Sequence, residues 1–224
     1  MKTLSLILAS VISAASSFAL DPPPGGGYPV QDTVLGDDAL FSQDITSVGS
    51  NTALGYQAMY SNSTGASDTA VGIMALQGNT IGGANVAVGQ LAMLDNTTGM
   101  RNVAVGSIAL ADNTTGGSNI AIGVDALFLA TTESGNIAIG DDAMAIPVGS
   151  YNVAIGHIAL SGEYVGDGNV GVGDAALNGC SGMANIGLGP VAGLKLRAGS
   201  YNIDIGNQGL SDEIGIIRIG NLRT

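Results

Sequence analysis

The sequence predicts an all-β protein, a parallel β-roll or β-helix solenoid of about ten rungs of 17 residues each. Three observations predict this fold. One motif recurs at a nearly constant step, it carries β-branched residues two positions apart, and glycine is abundant, at 36 of 224 residues. Typical proteins contain about 7% glycine. Because the glycines have no three-residue period, a collagen helix is excluded.

The repeated unit reads Asn-[Val/Ile]-Ala-[Val/Ile]-Gly, then two variable residues, Ala-Leu or Ala-Met, and about eight residues rich in Asn, Thr, Ser and Gly. Successive units are 17 residues apart, except for two steps of 16. A degenerate copy begins at Asp32, and the fragment 217–220 closes the series. A fixed period of this length is typical of a solenoid. The ten full units begin at Asn51, Asp68, Asn85, Asn102, Asn119, Asn136, Asn152, Asn169, Asn185 and Asn202.

The pattern within a unit favours strands over helices. Alternating β-branched residues ended by glycine predict a short strand, and Ala-Leu or Ala-Met predicts a second one after a tight corner. Asn and Gly in the variable tract favour turns. Rungs stacked about 4.8 Å apart would form a rod of about 50 Å. Helical repeats need longer units, and each glycine would cost a helix about 1 kcal/mol.

The two faces of the predicted strand carry side chains of different size. Val103 and Val105 are expected to face the core of the coil, and Asn102 and Ala104 the outside. A strand that is apolar on both faces is normally covered on both. We therefore expect a second copy of the chain to pack on the alanines, the alternative being an exposed and unpartnered alanine column. The predicted oligomer seam consists of Ala53, Ala70, Ala87, Ala104, Ala121, Ala138 and Ala154.

The recurring asparagine predicts a structural ladder. Stacked at one corner of successive rungs, the amides donate and accept hydrogen bonds along the axis. This role is favoured over carbohydrate or metal binding, since the period fits a ladder. Its members are Asn51, Asn85, Asn102, Asn119, Asn136, Asn152, Asn169, Asn185 and Asn202.

The N-terminal segment is typical of an export signal. Lys2 precedes a short apolar run, 4–13, and small residues lead to a predicted cleavage site after Ala19. The run is shorter than the roughly 20 residues that span a bilayer. We therefore expect a secreted or cell-surface protein without a transmembrane segment in the mature chain. The predicted organisation is a signal peptide at 1–19, a Pro/Gly-rich leader at 20–31, the solenoid at 32–220 and a tail at 221–224.

Few residues offer catalytic chemistry. The formal net charge of −12 disfavours nucleic acid as a partner. His157 is the only histidine and Cys180 the only cysteine, so a nucleophile with a histidine base is not expected and no intrachain disulfide can form. We expect no catalytic residues, no cofactor and no metal site.

Two other functions stay open. The pairs Asp37-Asp38 and Asp141-Asp142 suggest a β-helical polysaccharide-active enzyme, although neighbouring side chains on a strand diverge and solvated charges are favoured. Threonines repeating at the 17-residue step suggest an ice-binding protein, although three later units lack them. These threonines are Thr97, Thr98, Thr114, Thr115, Thr131 and Thr132.

The repeated motif resembles the head repeats of trimeric autotransporter adhesins, the YadA-like family, and is also similar to repeats of phage tail-fibre-like and bacterial surface proteins. The resemblance covers Asp32 to Gly220, with a unit longer than is common in the family. It implies a left-handed parallel β-roll, a homotrimer about a shared axis, and attachment to matrix, a surface or a glycan. The sequence therefore predicts an oligomeric structural or adhesive protein rather than an enzyme.

Overall fold

A computed structural model describes residues 32–43, 49–146, 149–162 and 165–220. The described residues contain twelve short parallel strands and no helix. The predicted signal peptide, leader and C-terminal tail lie outside them. The strands are β1 (Thr33–Leu35), β2 (Thr52–Leu54), β3 (Thr69–Val71), β4 (Val86–Val88), β5 (Val103–Val105), β6 (Ile120–Ile122), β7 (Ile137–Ile139), β8 (Val153–Ile155), β9 (Val170–Val172), β10 (Ile186–Leu188), β11 (Ile203–Ile205) and β12 (Ile217–Ile219).

The strands form one sheet in which spatial order equals chain order, from β1 to β12. Each strand pairs in register with the same positions of the next unit, as Val86 does with Val103 and Ala87 with Ala104. The register survives a 16-residue step, since Ile137 pairs with Val153. The missing residue is therefore absorbed outside the strands. The predicted parallel solenoid is confirmed.

The glycine that ends each strand from β1 to β9 is required by geometry. Gly106 has a φ of +145°, a backbone conformation that side chains disfavour. A Cβ atom at this position would lie 2.2 Å from the carbonyl oxygen of Gly123, the equivalent glycine one rung away. The rungs can therefore stack at strand spacing only if this corner carries no side chain.

The predicted second strand of each rung is wrong. Ala92 and Met93 are consecutive and both completely buried, whereas neighbouring residues of a strand point to opposite faces. Met93 has a φ of +53°, which turns its side chain to the same side as Ala92. Its backbone N–H still donates to the carbonyl oxygen of Ala109 in the next rung, at 3.0 Å. Each rung thus consists of one strand and a return segment built from turns.

The core is a narrow column inside the coil. Each regular rung contributes a small residue from the centre of its strand and an Ala-Leu or Ala-Met pair from the return segment. The large side chains of this column are completely buried: Met59, Leu76, Met93, Leu110, Leu127, Met144, Leu160 and Leu177.

Candidate functional site

The alanines predicted as an oligomer seam lie inside the coil, so that prediction is wrong. All seven are fully buried within a single chain and belong to its hydrophobic core. An intrachain core residue cannot contact a second copy. The corrected residues are Ala53, Ala70, Ala87, Ala104, Ala121, Ala138 and Ala154.

The alanines face inward, contrary to the prediction, because the leucine and methionine side chains of the return segment are large. A Cβ atom on Gly171, at the central position of β9, would lie 3.2 Å from Leu160 Cγ of the preceding rung. The leucine or methionine therefore reaches across the coil to the strand. Only a small side chain fits opposite it, and the β-branched residues on either side must point outward.

These outward residues form a continuous face, called here the strand face. It comprises the first and third residues of β1 to β12, which are Val, Ile or Leu apart from three threonines, and none is charged. They are half-buried or exposed; Val105 and Ile122, for example, are 36% and 38% exposed. One wall of the solenoid is therefore largely apolar, and no other segment among the described residues covers it.

The predicted asparagine column lies at the corner that precedes each strand, and its members are buried. The Asn85 Oδ1 atom accepts a hydrogen bond from the backbone N–H of Asn102 at 3.0 Å. The Asn102 Nδ2 atom donates to the carbonyl oxygen of Gly116, in the turn that ends the same unit, at 2.8 Å. Most amides of this column thus hold one turn to their own rung and accept from the next rung; the exception is Asn152, whose Nδ2 has no hydrogen-bond partner.

A second asparagine column was missed by the sequence analysis. Asn62, Asn79, Asn96 and Asn113 are buried, and from Asn79 onward each Nδ2 donates to the Oδ1 of the preceding member at 2.7 to 2.9 Å. This is a direct amide-to-amide ladder. It ends where Ala130 takes the next position, which leaves Asn113 Oδ1 buried without a partner. The signal was the Asn of the Asn-Thr-Thr-Gly tract, which was interpreted only as turn chemistry.

Asp68 occupies an asparagine position of the first column and is almost completely buried. Its Oδ1 accepts from the Asn85 N–H at 2.7 Å, and its Oδ2 accepts from Asn79 Nδ2 at 3.3 Å. Burial raises the pKa of Asp68 from 3.8 to about 7, an effect that the hydrogen bonds from Asn85 and Asn79 only partly offset. This carboxyl group therefore titrates near neutral pH.

The core becomes polar at the C-terminal end. Asp204 replaces the strand alanine in β11, is 1% exposed, and neither carboxylate oxygen has a hydrogen-bond partner. Arg218, its register neighbour in β12, forms a two-pronged ion pair with Glu213. Burial raises the pKa of Asp204; the Arg218 charge lowers it and the Glu213 charge raises it further. The last rungs thus end the apolar column with a charged cluster.

The structure also places the few residues that the sequence offers for catalysis. His157 Nδ1 is 3.0 Å from Asp174 Oδ1, but both side chains are more than half exposed. Cys180 is 1% exposed, and burial raises the pKa of its thiol, which disfavours the reactive thiolate. Asp141 Oδ1 accepts a hydrogen bond from the Val124 N–H at 3.2 Å. Within the described ranges, no three His, Cys, Asp or Glu residues cluster as metal ligands would.

The threonine positions bear on the ice-binding alternative. Thr97 Oγ1 donates to the Thr114 carbonyl oxygen at 2.9 Å, and Thr114 Oγ1 donates to that of Thr131 at 3.0 Å. These hydroxyl protons are thus engaged between rungs. The adjacent column contains the exposed residues Thr98, Thr115 and Thr132. Ile81 occupies the same position one rung earlier, so the row of threonines is interrupted there.

Among the residues that the structure describes, none forms a helix with the length and hydropathy of a membrane span. Comparisons with protein-family models, curated proteins and solved structures found no match to the chain. The resemblance to YadA-like head repeats therefore stays a prediction that depends on the repeated residues themselves.

Proposed function

We propose that this chain is a secreted or cell-surface structural protein with an adhesive role, and that its copies associate through the strand face. The observation that supports this proposal is the uncharged wall of β1 to β12, made mostly of Val and Ile, which no other part of the described chain covers. The role is non-catalytic, and the solenoid acts as a rigid head or fibre segment that presents its corners to a surface, matrix or glycan.

The size of the strand face supports association. Twelve strands spaced about 4.8 Å apart, each three residues wide at about 3.3 Å per residue, cover roughly 500 Å². This area is in the upper part of the range of about 300–600 Å² for the largest apolar patch of a typical soluble monomer, and such patches are often interaction sites. Covering this wall therefore removes unfavourable contact with water.

The regularity of the strand face favours a second copy as the partner. Its side chains repeat at the strand spacing over the whole sheet, because every pair of neighbouring strands keeps the same register. A partner that packs along the full length needs the same spacing, and another copy of the chain has it. The trimer implied by the resemblance would bring three strand faces together around one axis.

Sedimentation of matched variants tests this proposal. We expect the wild-type chain to sediment as a trimer at micromolar concentration, and Ile122→Lys to sediment as a monomer with an unchanged circular dichroism spectrum. Ile122 lies on the strand face, whereas the control Thr115→Lys adds the same charge at an exposed corner. A monomeric wild type, or equal dissociation by both variants, would refute association through the strand face.

A further inference from the structure

A cleft opens on one side of the solenoid where the repeat is least regular. It has a volume of about 510 Å³ and crosses four successive rungs, from Ile146 to Arg197. Its residues follow the unit asparagine by nine to twelve positions, whereas the strand face uses the first and third positions after it. Cleft and strand face are therefore separate surfaces. The volume lies within the range of about 300–1,000 Å³ that is typical of small-ligand sites.

Two glycines form the floor of the cleft. Gly162 and Gly179 stand at a position that carries Asp95 and Asp112 in earlier rungs. A Cβ atom on Gly162 would lie 2.7 Å from Gly179 Cα, and one on Gly179 would lie 2.7 Å from Arg197 Nη1. The Gly179 backbone thus leaves no room for a side chain at position 162, and the Arg197 guanidinium lies directly against Gly179.

Arg197 gives the cleft a positive group. The ion pairs among the described residues are His157–Asp174 and Arg218–Glu213, so Arg197 has no carboxylate partner there. The Arg197 side chain is exposed, so its guanidinium is accessible to a ligand. Its planar fork of N–H donors matches a carboxylate in a bidentate geometry.

The remaining lining suits a hydroxylated ligand. Ser161 and Ser181 line the cleft, and Ser181 Oγ donates its proton to the Arg197 carbonyl oxygen at 3.0 Å, so toward a ligand this oxygen can only accept. Asn178 Nδ2 donates one hydrogen bond, to the Ile158 carbonyl oxygen at 3.0 Å. Ile146 supplies an apolar wall at the opposite end from Arg197. Donors and acceptors beside an apolar surface match the hydroxyl groups and C–H face of a sugar ring.

We propose that this cleft binds a carboxylate-bearing sugar unit, such as a uronic acid of a surface polysaccharide. Arg197 holds the carboxylate, Ser161, Asn178 and Ser181 bind ring hydroxyls, and Ile146 packs against the ring. This assignment rests on the proposed adhesive function, for which it names the class of ligand. A single guanidinium matches the single carboxylate of one uronic acid unit.

Saturation-transfer NMR on the full mature protein tests the assignment, with D-galacturonate as the probe and D-galactose and acetate as matched ligands. We expect saturable binding of galacturonate, and binding at least about tenfold weaker for galactose, which lacks the charge-assisted hydrogen bonds, and for acetate, which lacks the ring. Arg197→Gln should weaken galacturonate binding about tenfold. The control Lys195→Gln removes the same charge from an exposed residue that does not line the cleft, and should bind as the wild type does.

Several results would overturn the assignment: no saturable galacturonate binding, equal binding of galactose or of acetate, or equal weakening by the two variants. Sedimentation of the same samples separates this failure from that of the proposed function. Arg197 lies off the strand face, so Arg197→Gln should keep the oligomeric state of the wild type. An oligomer that binds no uronate would refute the sugar site alone, and a monomer that binds it would refute the association alone.

Discussion

Leu177 and Gly187 face each other across the coil: a Cβ atom on Gly187 would lie 2.8 Å from Leu177 Cγ. The return-segment side chain of one rung therefore fills the space inside the strand of the next. By the register of the repeat, Met93 and Ala104 are an equivalent pair. This contact explains why the strand centre is small and why the β-branched residues face outward.

Enlarging the strand centre should therefore damage the fold rather than only the assembly. We expect Ala104→Leu to lower the free energy of unfolding by about 1–3 kcal/mol, because it overpacks a filled core. Ser107→Leu, at the variable corner that follows the same strand and lies off the strand face, should change it by less than about 0.5 kcal/mol. Urea unfolding at one fixed protein concentration measures both. Equal losses would contradict the inward placement of Ala104.

The amide ladder predicts that its middle matters more than its end. Asn96→Ala removes the donor to Asn79 Oδ1, whereas Asn113→Ala removes the donor to Asn96 Oδ1 but also deletes an oxygen that already lacks a partner. A buried polar group left unsatisfied costs about 1–3 kcal/mol. We therefore expect Asn96→Ala to be more destabilising by about that amount in thermal and urea unfolding. Equal costs would show that the unpartnered oxygen carries no penalty.

Asp68 predicts a pH-dependent stability. Its pKa is raised from 3.8 to about 7 in the fold, so the folded state retains the proton over a range in which the unfolded state releases it. The stabilising contribution of Asp68 to the free energy of unfolding is fully present below about pH 4 and is lost as pH rises through about 7. Asp68→Asn supplies an amide that needs no proton, and it should gain up to roughly 4 kcal/mol over the wild type between pH 4 and pH 8.

Urea unfolding of the wild type and of Asp68→Asn across this pH range measures the effect. The difference between the two proteins isolates Asp68, because other raised carboxyl groups such as Asp204 titrate in both. A difference that stays constant from pH 4 to pH 8 would mean that Asp68 has an ordinary pKa.

Asp204 predicts a stabilising substitution. Asp204→Ala restores the residue found at the strand centre of the regular rungs and removes two unpartnered buried oxygens. We expect it to raise the free energy of unfolding by about 1–3 kcal/mol at pH 8. The gain should shrink as pH falls, because the raised pKa of Asp204 means that the wild-type carboxyl group takes up a proton in the fold at a higher pH than in the unfolded chain. A loss of stability at pH 8 would show that attraction to Arg218 outweighs the burial cost.

The repeat alone predicted the rung boundaries, the parallel pairing and the corner glycines. Val103 and Val105 two positions apart indicated a strand, and the strand is found at Val103–Val105. The Ala-Met pair at 92–93 was misjudged as a strand, because the left-handed φ of Met93 leaves no mark in the residue types. The cleft beside Arg197 was not predicted, since it depends on Gly162 and Gly179 meeting across neighbouring rungs.

The sequence by itself determined the period of this protein and hence the parallel order of its strands, because identical segments at one step can all pair in the same register. Only the tertiary structure decided which face of each strand lies inside. The alternation of residue types defines two faces of a strand but does not show which face is buried. Here the large side chains on the opposite wall, such as Leu177 and Met93, decide it. Those side chains fill the coil, so alanine lies inside and valine or isoleucine outside.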